Sequence, residues 1–263
     1  MKAFILCFLL IGAISCKSPV KKEIPQMAGA YSMLSQSIKG GNTDTTYYIL
    51  QQLKIFTEDH IMYANVNPTN SIAAFGIGSY VADTGFILEK IIFSAADSAD
   101  YATPISFIIL IEKTPKGYNQ VIPEMTIQGQ KIRLTEEYEL VGNDVKSPLD
   151  GAWKEMRYLI VKGGDTTERI RNKYKAFYAG RFMEGLFEKD STQTPHTSIA
   201  FGTFSMEGTN KLKEIVITSN DPSITLQDLP SIDNEMNGPD ESKQTITGKD
   251  GTKYISVFQR LKK

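Results

Sequence analysis

The chain has 263 residues, of which 29 are Lys or Arg and 30 are Asp or Glu, so its net charge is −1. A hydrophobic fraction of 41% with 22% charged residues is typical of a globular protein and excludes a disordered or collagen-like chain. The charge balance argues against a nucleic-acid-binding protein, which presents a basic face. Two Cys and two His cannot form a disulfide-rich scaffold or a His/Cys metal centre, so neither a metal site nor a cofactor is expected.

The N-terminal residues have the pattern of an export signal. Lys2 precedes an apolar run from Ala3 to Ile14. This run is too short for a transmembrane helix, which needs about 20 residues. It ends in Ala13-Ile14-Ser15-Cys16, which resembles the lipobox of bacterial lipoproteins.

The lipobox resemblance implies that residues 1–15 are a signal peptide, that Cys16 becomes the lipidated N-terminus, and that residues 16–26 form a flexible tether. Acyl chains stabilise membrane association by about 0.8 kcal/mol per buried methylene. We therefore expect the protein in the bacterial cell envelope, on the exported side, anchored to the outer membrane rather than the inner one. The alternative is an ordinary signal peptide that leaves Cys16 as a free thiol.

The second half of the sequence repeats the first. Asp44-Thr45-Thr46 recurs as Asp165-Thr166-Thr167, and Ser71-Ile72-Ala73-Ala74-Phe75-Gly76 recurs, one residue shorter, as Ser198-Ile199-Ala200-Phe201-Gly202. Each repeat has the size of one domain rather than of a solenoid unit. The sequence thus predicts two tandem domains of the same fold, at residues 27–142 and 149–263.

Each repeat has the pattern of strands separated by turns. Segments such as Thr46–Phe56 and Ile105–Glu112 are rich in Tyr, Ile, Phe and Leu, and Gly, Asn and Pro lie between the segments. We predict an all-β fold, in which each repeat is an antiparallel up-and-down barrel of about eight strands. A two-sheet sandwich is the alternative. The second barrel is expected to be less regular between Ser219 and Glu241, where turn residues interrupt the pattern.

The second repeat resembles the lipocalin family. It opens with Gly151-Ala152-Trp153 and closes with Phe258-Gln259-Arg260, like the Gly-x-Trp and C-terminal basic residue of that family. Both repeats look like the lipocalin-like, calycin-type domains of uncharacterised bacterial secreted proteins and lipoproteins. The resemblance implies a structural pair, in which Arg260 lies across the buried ring of Trp153. In the first repeat Tyr31 and Leu140 replace both partners together.

Five residues are candidate ligand contacts because the lipocalin-like fold implies a barrel that binds a small apolar or amphipathic molecule. Glu89 and Glu214 occur beside an apolar strand in both repeats, and each is either a pocket carboxylate or the partner of a lysine such as Lys54 or Lys175. Aromatic residues could line the barrel or only fill it. These are Tyr48, Phe75 and Phe201.

Catalytic motifs are not evident. The sequence contains no glycine-rich phosphate loop, His-Glu-x-x-His, Cys-x-x-Cys or Gly-x-Ser-x-Gly motif. His60, preceded by Glu58 and Asp59, is the best acid–base candidate. A turn is the better interpretation, because Arg181 occupies the equivalent position in the second repeat. We expect a protein that is not an enzyme and has no catalytic residues.

The sequence leaves three functions open. The leading one is a membrane-anchored, non-catalytic lipoprotein that binds a small hydrophobic or amphipathic ligand. The second is an envelope protein with filled barrels that contacts a protein or glycan, and the third is a hydrolase acting from a barrel mouth. The repeats also differ in charge: residues 27–144 contain 7 basic and 13 acidic residues, a net of −6, and residues 145–263 contain 18 and 16, a net of +2.

Overall fold

The structure is a computed structural model that describes residues 26–262 except 42, 49, 97, 98, 128, 190, 191, 227 and 228. The predicted signal peptide, the lipidated Cys16 and nearly all of the predicted tether lie outside the described residues. Within them, no helix has the length and apolar character needed to cross a membrane.

The first repeat forms a closed antiparallel barrel, which we call barrel 1. Eight of its nine strands run in the order β1-β3-β4-β5-β6-β7-β8-β9, pairing of β1 with β9 closes the ring, and β2 adds to β1. The strands are β1 (Gly29–Gly40), β2 (Thr43–Tyr47), β3 (Gln51–Phe56), β4 (His60–Val66), β5 (Ala73–Asp83), β6 (Phe86–Ser94), β7 (Ala99–Lys113), β8 (Gly117–Ile127) and β9 (Gln130–Leu140).

The second repeat forms barrel 2 with the same topology, closed by pairing of β10 with β18 and with β11 as the additional strand. Its strands are β10 (Gly151–Lys162), β11 (Asp165–Arg169), β12 (Asn172–Tyr178), β13 (Arg181–Lys189), β14 (Pro195–Glu207), β15 (Lys211–Ser219), β16 (Ile232–Met236), β17 (Glu241–Thr247) and β18 (Lys253–Arg260). The prediction of two tandem eight-stranded antiparallel barrels is confirmed, and the sandwich alternative is wrong.

Barrel 2 is less regular where the sequence predicted it. Strands β15 and β16 pair through only two residue pairs, Lys211 with Asp233 and Leu212 with Ile232. A short 3-10 helix, Pro222–Ile224, lies between them in the chain, and the side chain of Asp221 accepts a hydrogen bond from the Ser223 amide at its start. Since proline and an Asx turn both favour chain reversal, this stretch cannot continue the ladder.

One end of each barrel, here called the closed end, is filled by aromatic and aliphatic side chains. In barrel 2 the Trp153 side chain is fully buried, and its indole Nε1 donates to the Leu149 carbonyl at 2.8 Å. The Arg260 guanidinium carbon lies 4.2 Å from the ring centroid, so the predicted pair is present. In barrel 1 the paired residues at the same register are Tyr31 and Leu140.

Arg260 also explains why the Gly-x-Trp pattern needs its glycine. The Arg260 guanidinium donates to the main-chain carbonyls of Pro148 and Asp150. A Cβ added to Gly151 would lie 2.1 Å from Arg260 Nη1, and Gly151 has a φ of +144°. Only glycine allows both this backbone conformation and this close approach.

The two barrels share a hydrophobic interface. Strands β3, β4 and β5 pack against β12, β13 and β14, the equivalent strands of the other repeat, and against β10. Rings from both sides meet in the interface: Phe93 lies 5.3 Å from Tyr174 and 5.9 Å from Phe187 between centroids. Because the interface residues are as buried as the barrel interiors, the two barrels form one packed unit.

Candidate ligand-binding cavities

Each barrel contains a cavity in the half opposite its closed end, which we call the open end. The cavity of barrel 2 has a volume of about 260 Å³ and that of barrel 1 about 230 Å³. In both barrels the buried aromatic side chains lie at the closed end and do not extend to the open end. Towards the open end, the inward-facing side chains of the strands are largely polar.

A buried lysine, glutamate and glutamine form the floor of the barrel 2 cavity. The Lys175 ammonium nitrogen lies 2.8 Å from Glu214 Oε1 and 3.2 Å from Gln244 Oε1. It also lies 3.2 Å from Glu184 Oε2 on the neighbouring strand. We call Lys175, Glu214 and Gln244 the triad of barrel 2.

Barrel 1 has the same triad in Lys54, Glu89 and Gln120, with different spacing. The Lys54 ammonium donates to Gln120 Oε1 at 2.6 Å, while Glu89 Oε1 lies 3.7 Å from the same nitrogen. The cross-strand neighbour of Lys54 is Tyr63, at the register where Lys175 faces Glu184. At this cross-strand position barrel 1 therefore has a tyrosine in place of the carboxylate that pairs with the lysine of barrel 2.

The buried charged groups of barrel 2 shift one another's pKa values. Burial by itself would raise the pKa of Glu184, but the ammonium groups of Lys173 and Lys175 outweigh burial and lower the pKa to about 2. For Glu214, burial outweighs the attraction of Lys175, and its pKa is raised. Burial would lower the pKa of Lys175, but the two carboxylates outweigh it and raise the pKa. Lys175 therefore stays cationic at neutral pH.

A second ion pair lies on the wall of the barrel 2 cavity. The Arg171 guanidinium makes two hydrogen bonds to the buried Glu155 carboxylate, at 2.9 and 2.7 Å. Its central carbon lies 3.4 Å from the ring centroid of Tyr158. Such bidentate, stacked geometry holds a guanidinium in one orientation.

Another part of the barrel 2 cavity wall is apolar. Residues of the irregular stretch between β15 and β16, including Ile224 and Leu229, pack against the barrel core and line the cavity. The interior strands contribute the other apolar contacts. These are Phe182, Ala200, Val216 and Ile232.

A hydrogen-bonded network lines the barrel 1 cavity. Glu136 accepts hydrogen bonds from Gln36 at 2.9 Å, from Gln120 at 3.0 Å and from the Tyr138 hydroxyl at 2.8 Å. Glu89 Oε1 differs from these groups, because it is buried and has no hydrogen-bond partner among the described residues. Burial raises the pKa of Glu89, and the Lys54 ammonium opposes this rise only in part.

The structure places the five predicted ligand contacts in three different environments. Glu89 and Glu214 are buried, line the two cavities, and pair with the lysines that the sequence offered as partners, Lys54 and Lys175. Tyr48 is 75% exposed and lines neither cavity.

Phe75 and Phe201 neither line a cavity nor fill a barrel. Both lie in the interface between the barrels, where a Cβ added to Gly185 would lie 2.5 Å from the Phe75 ring. Each lies close to a bulge, between Ile77 and Gly78 in β5 and between Phe201 and Gly202 in β14. The apolar alternation of these strands therefore reflects a neighbour on the outer face as well as a core on the inner face.

Sequence reasoning missed the glutamines of the triads and the charged residues around them. Gln120 and Gln244 occupy equivalent inward positions, but the residues flanking them differ between the repeats, so local comparison does not align them. These residues could have been identified as polar residues at inward-facing positions of otherwise apolar strands. The other missed residues are Glu136, Glu155, Arg171, Lys173 and Glu184.

His60 lies away from both cavities. It begins β4 beside the turn at the closed end, is buried, and its Nδ1 lies 2.6 Å from Asp59 Oδ1. Its main-chain amide donates to the Thr57 hydroxyl at 3.0 Å, which belongs to the turn. The imidazole therefore does not face either barrel mouth, where the hydrolase hypothesis needs it.

A larger cleft, of about 420 Å³, lies between the barrels beside the linker. Its side chains bond to one another: the Tyr178 hydroxyl donates to Glu58 Oε1 at 3.0 Å and accepts from the Lys146 ammonium at 3.2 Å. These contacts join barrel 1, the linker and barrel 2. The cleft is therefore better explained as part of the junction than as a ligand site.

No protein-family model matches the chain, and no curated protein matches it significantly in sequence. The geometry of the two cavities is therefore the main indication of what the protein binds.

Proposed function

We propose that this protein is an exported lipoprotein of the bacterial cell envelope, anchored to a membrane through Cys16, whose lipocalin-like barrels bind a small amphipathic ligand without catalysis. One observation carries the binding part of the proposal: a buried, charged triad forms the floor of a partly apolar cavity in barrel 2, and recurs in barrel 1.

The triads are costly features for a purely structural core. Replacing a buried ion pair by well-packed hydrophobic residues is often neutral or stabilising by about 1–4 kcal/mol. Lys175 and Glu214 nevertheless lie in the interior of barrel 2, and Lys54 and Glu89 in that of barrel 1. A few inward polar groups among apolar walls are what orients a ligand in a binding cavity.

The cavity volumes limit the size of the ligand. Drug-sized ligands occupy cavities of about 300–1,000 Å³, and both barrels lie just below this range. A single ring or a short acyl chain with one polar head group therefore fits better than a long-chain lipid. The head group would lie at the triad and the apolar part against Phe182 and Val216 in barrel 2.

An envelope interaction protein is a second candidate, favoured by an exposed apolar surface on barrel 1. Val81, Leu88 and Ile108 are aligned across strands β5, β6 and β7. Val81 and Ile108 are exposed to solvent, as is Leu110 on the same face of β7. Aligned exposed apolar residues of this kind mark protein contacts more often than they serve stability.

Replacing Cys16 by Ser should abolish lipid attachment. A serine hydroxyl cannot form the thioether that holds the acyl chains, so the variant should lose radiolabelled fatty acid and move from the membrane to the aqueous phase after detergent partitioning. Cys7→Ser is the matched control and should keep the label. A Cys16→Ser protein that remains in the detergent phase would contradict the lipid anchor.

Native mass spectrometry tests ligand binding. The chain from Lys17 onward, which contains every described residue, should carry a reproducible extra mass when exported and purified from its own host, and lose it on organic extraction. Lys173→Gln alters the barrel 2 cavity and should reduce the bound fraction, whereas Lys253→Gln, on the exposed side of β18, should not. A mass equal to that of the bare chain in every preparation would favour the interaction protein.

A further inference from the structure

We propose that the two barrels select ligands of opposite charge, barrel 2 an organic anion and barrel 1 an organic amine. This inference rests on the proposed ligand-binding function and assigns a ligand class to each cavity. The two cavities share the triad floor and differ in the residues around it.

The ionisable residues of the two cavities leave barrel 1 with a negative formal charge and barrel 2 balanced. Barrel 1 presents one cation, Lys54, and two carboxylates, Glu89 and Glu136, a formal net of −1. Barrel 2 presents three cations and two lining carboxylates, and the buried Glu155 that pairs with Arg171 is a third carboxylate, so its formal net is 0. Its charged lining residues are Arg171, Lys173, Lys175, Glu184 and Glu214. In a poorly hydrated cavity the unbalanced carboxylate of barrel 1 strongly favours a cationic ligand, whereas barrel 2 has no unbalanced carboxylate to repel an anion.

Barrel 1 contains a buried carboxylate oxygen that accepts no hydrogen bond from the described residues. Glu89 Oε1 is buried without a hydrogen-bond partner among the described residues, because the Lys54 ammonium donates to Gln120 and lies 3.7 Å from this oxygen, in an ion pair that is too long for a hydrogen bond. An unmade hydrogen bond to a buried carboxylate is unfavourable, so a ligand N–H at this oxygen stabilises the complex. The rings of Tyr63 and Phe107 line the same cavity and offer faces to an ammonium group and its alkyl chain.

Barrel 2 has the reverse arrangement. Its three inner carboxylates are already paired. Glu184 pairs with Lys173 and Lys175, Glu214 with Lys175, and Glu155 with Arg171. Among the described residues Lys173 makes a single ion pair, at 3.0 Å, and its side chain is 16% exposed. Its remaining N–H donors are therefore available to a ligand carboxylate entering from the open end.

The net charges of the whole repeats, cavity residues included, differ in the same direction as those of the two cavities. The first repeat has a net charge of −6 and the second a net charge of +2. A surface field of this kind raises the local concentration of oppositely charged ligands and their rates of association. The two repeats therefore differ in the same direction in total charge and in the charge of the cavity.

Hexylamine and hexanoate test this inference, because they have the same alkyl chain and opposite charge. Added to the ¹⁵N-labelled chain from Lys17 onward, hexylamine should shift amide resonances of barrel 1 and hexanoate those of barrel 2. Glu89→Gln should weaken hexylamine binding about tenfold and leave hexanoate binding unchanged, since one charge-assisted hydrogen bond is lost. Lys173→Gln should do the reverse.

1-Hexanol and Lys253→Gln are the controls, the first for an uncharged head group and the second for loss of a surface lysine. Binding of both charged probes to the same barrel, or hexanol binding as tightly as the preferred probe, would overturn the charge selection while leaving ligand binding in place. If none of the three probes shifts a cavity resonance, the inference is also wrong, and native mass spectrometry decides separately whether the barrels carry another ligand.

Discussion

Replacing Trp153 by Ala should lower the free energy of unfolding by about 3–5 kcal/mol, because a fully buried aromatic side chain leaves a cavity that the surroundings fill only in part. The substitution also removes the indole donor to Leu149 and leaves the Arg260 guanidinium without the ring that it covers. Urea unfolding followed by far-ultraviolet circular dichroism measures the effect, since Trp153 is the only tryptophan for fluorescence.

Tyr48→Ala is the control for this experiment. The Tyr48 side chain is largely exposed, so its removal should change the unfolding free energy by less than about 0.5 kcal/mol. If Trp153→Ala lowers the free energy of unfolding by less than about 1 kcal/mol, the buried ring does not stabilise barrel 2 and the prediction is wrong.

Replacing Phe75 by Ala should also cost about 3–5 kcal/mol, although Phe75 belongs to neither barrel interior. Its ring lies 5.3 Å from that of Phe93 and 6.3 Å from that of Tyr174 in the other barrel, so the variant weakens the interface. Calorimetry should show a single transition in the parent protein and a lower midpoint in the variant. Hexylamine binding to barrel 1 should be unchanged.

Phe107→Ala provides the matched comparison on the same barrel. Phe107 lines the barrel 1 cavity and is 45% exposed, so this variant should lose little stability but bind hexylamine more weakly. If Phe75→Ala instead weakens hexylamine binding and Phe107→Ala does not, the assignment of these two rings to interface and cavity is wrong.

The predicted Trp153–Arg260 pair shows what a local pattern contains. The Gly-x-Trp motif and the C-terminal arginine lie on strands that pair directly, with Trp153 opposite Arg260. In the first repeat Tyr31 and Leu140 replace them, and these two residues are paired in the same way between β1 and β9. Residues that face each other across two strands interact directly, so a change in one favours a change in the other.

The cavities show what a local pattern lacks. The sequence predicts that Glu89 and Glu214 are pocket carboxylates or ion-pair partners, because each occurs beside an apolar strand in its repeat. The spacing that distinguishes them is 3.7 Å to Lys54 in barrel 1 and 2.8 Å to Lys175 in barrel 2. A second difference lies on the neighbouring strand, where Tyr63 is opposite Lys54 and Glu184 is opposite Lys175. No single segment of sequence contains that difference.

By itself, the sequence determined the all-β class and the duplication, because strand alternation and turn residues act over a few positions. It favoured an antiparallel barrel but left a two-sheet sandwich open, because closure depends on pairing of strands far apart in the chain, β1 with β9 and β10 with β18. Only the tertiary structure decided that Phe75 and Phe201 lie between the barrels. Alternation of period two identifies two faces of a strand but not which one meets a neighbouring domain, and here both faces are buried. The charges that meet in each cavity come from strands far apart in the chain, so only closure of the barrel brings them together.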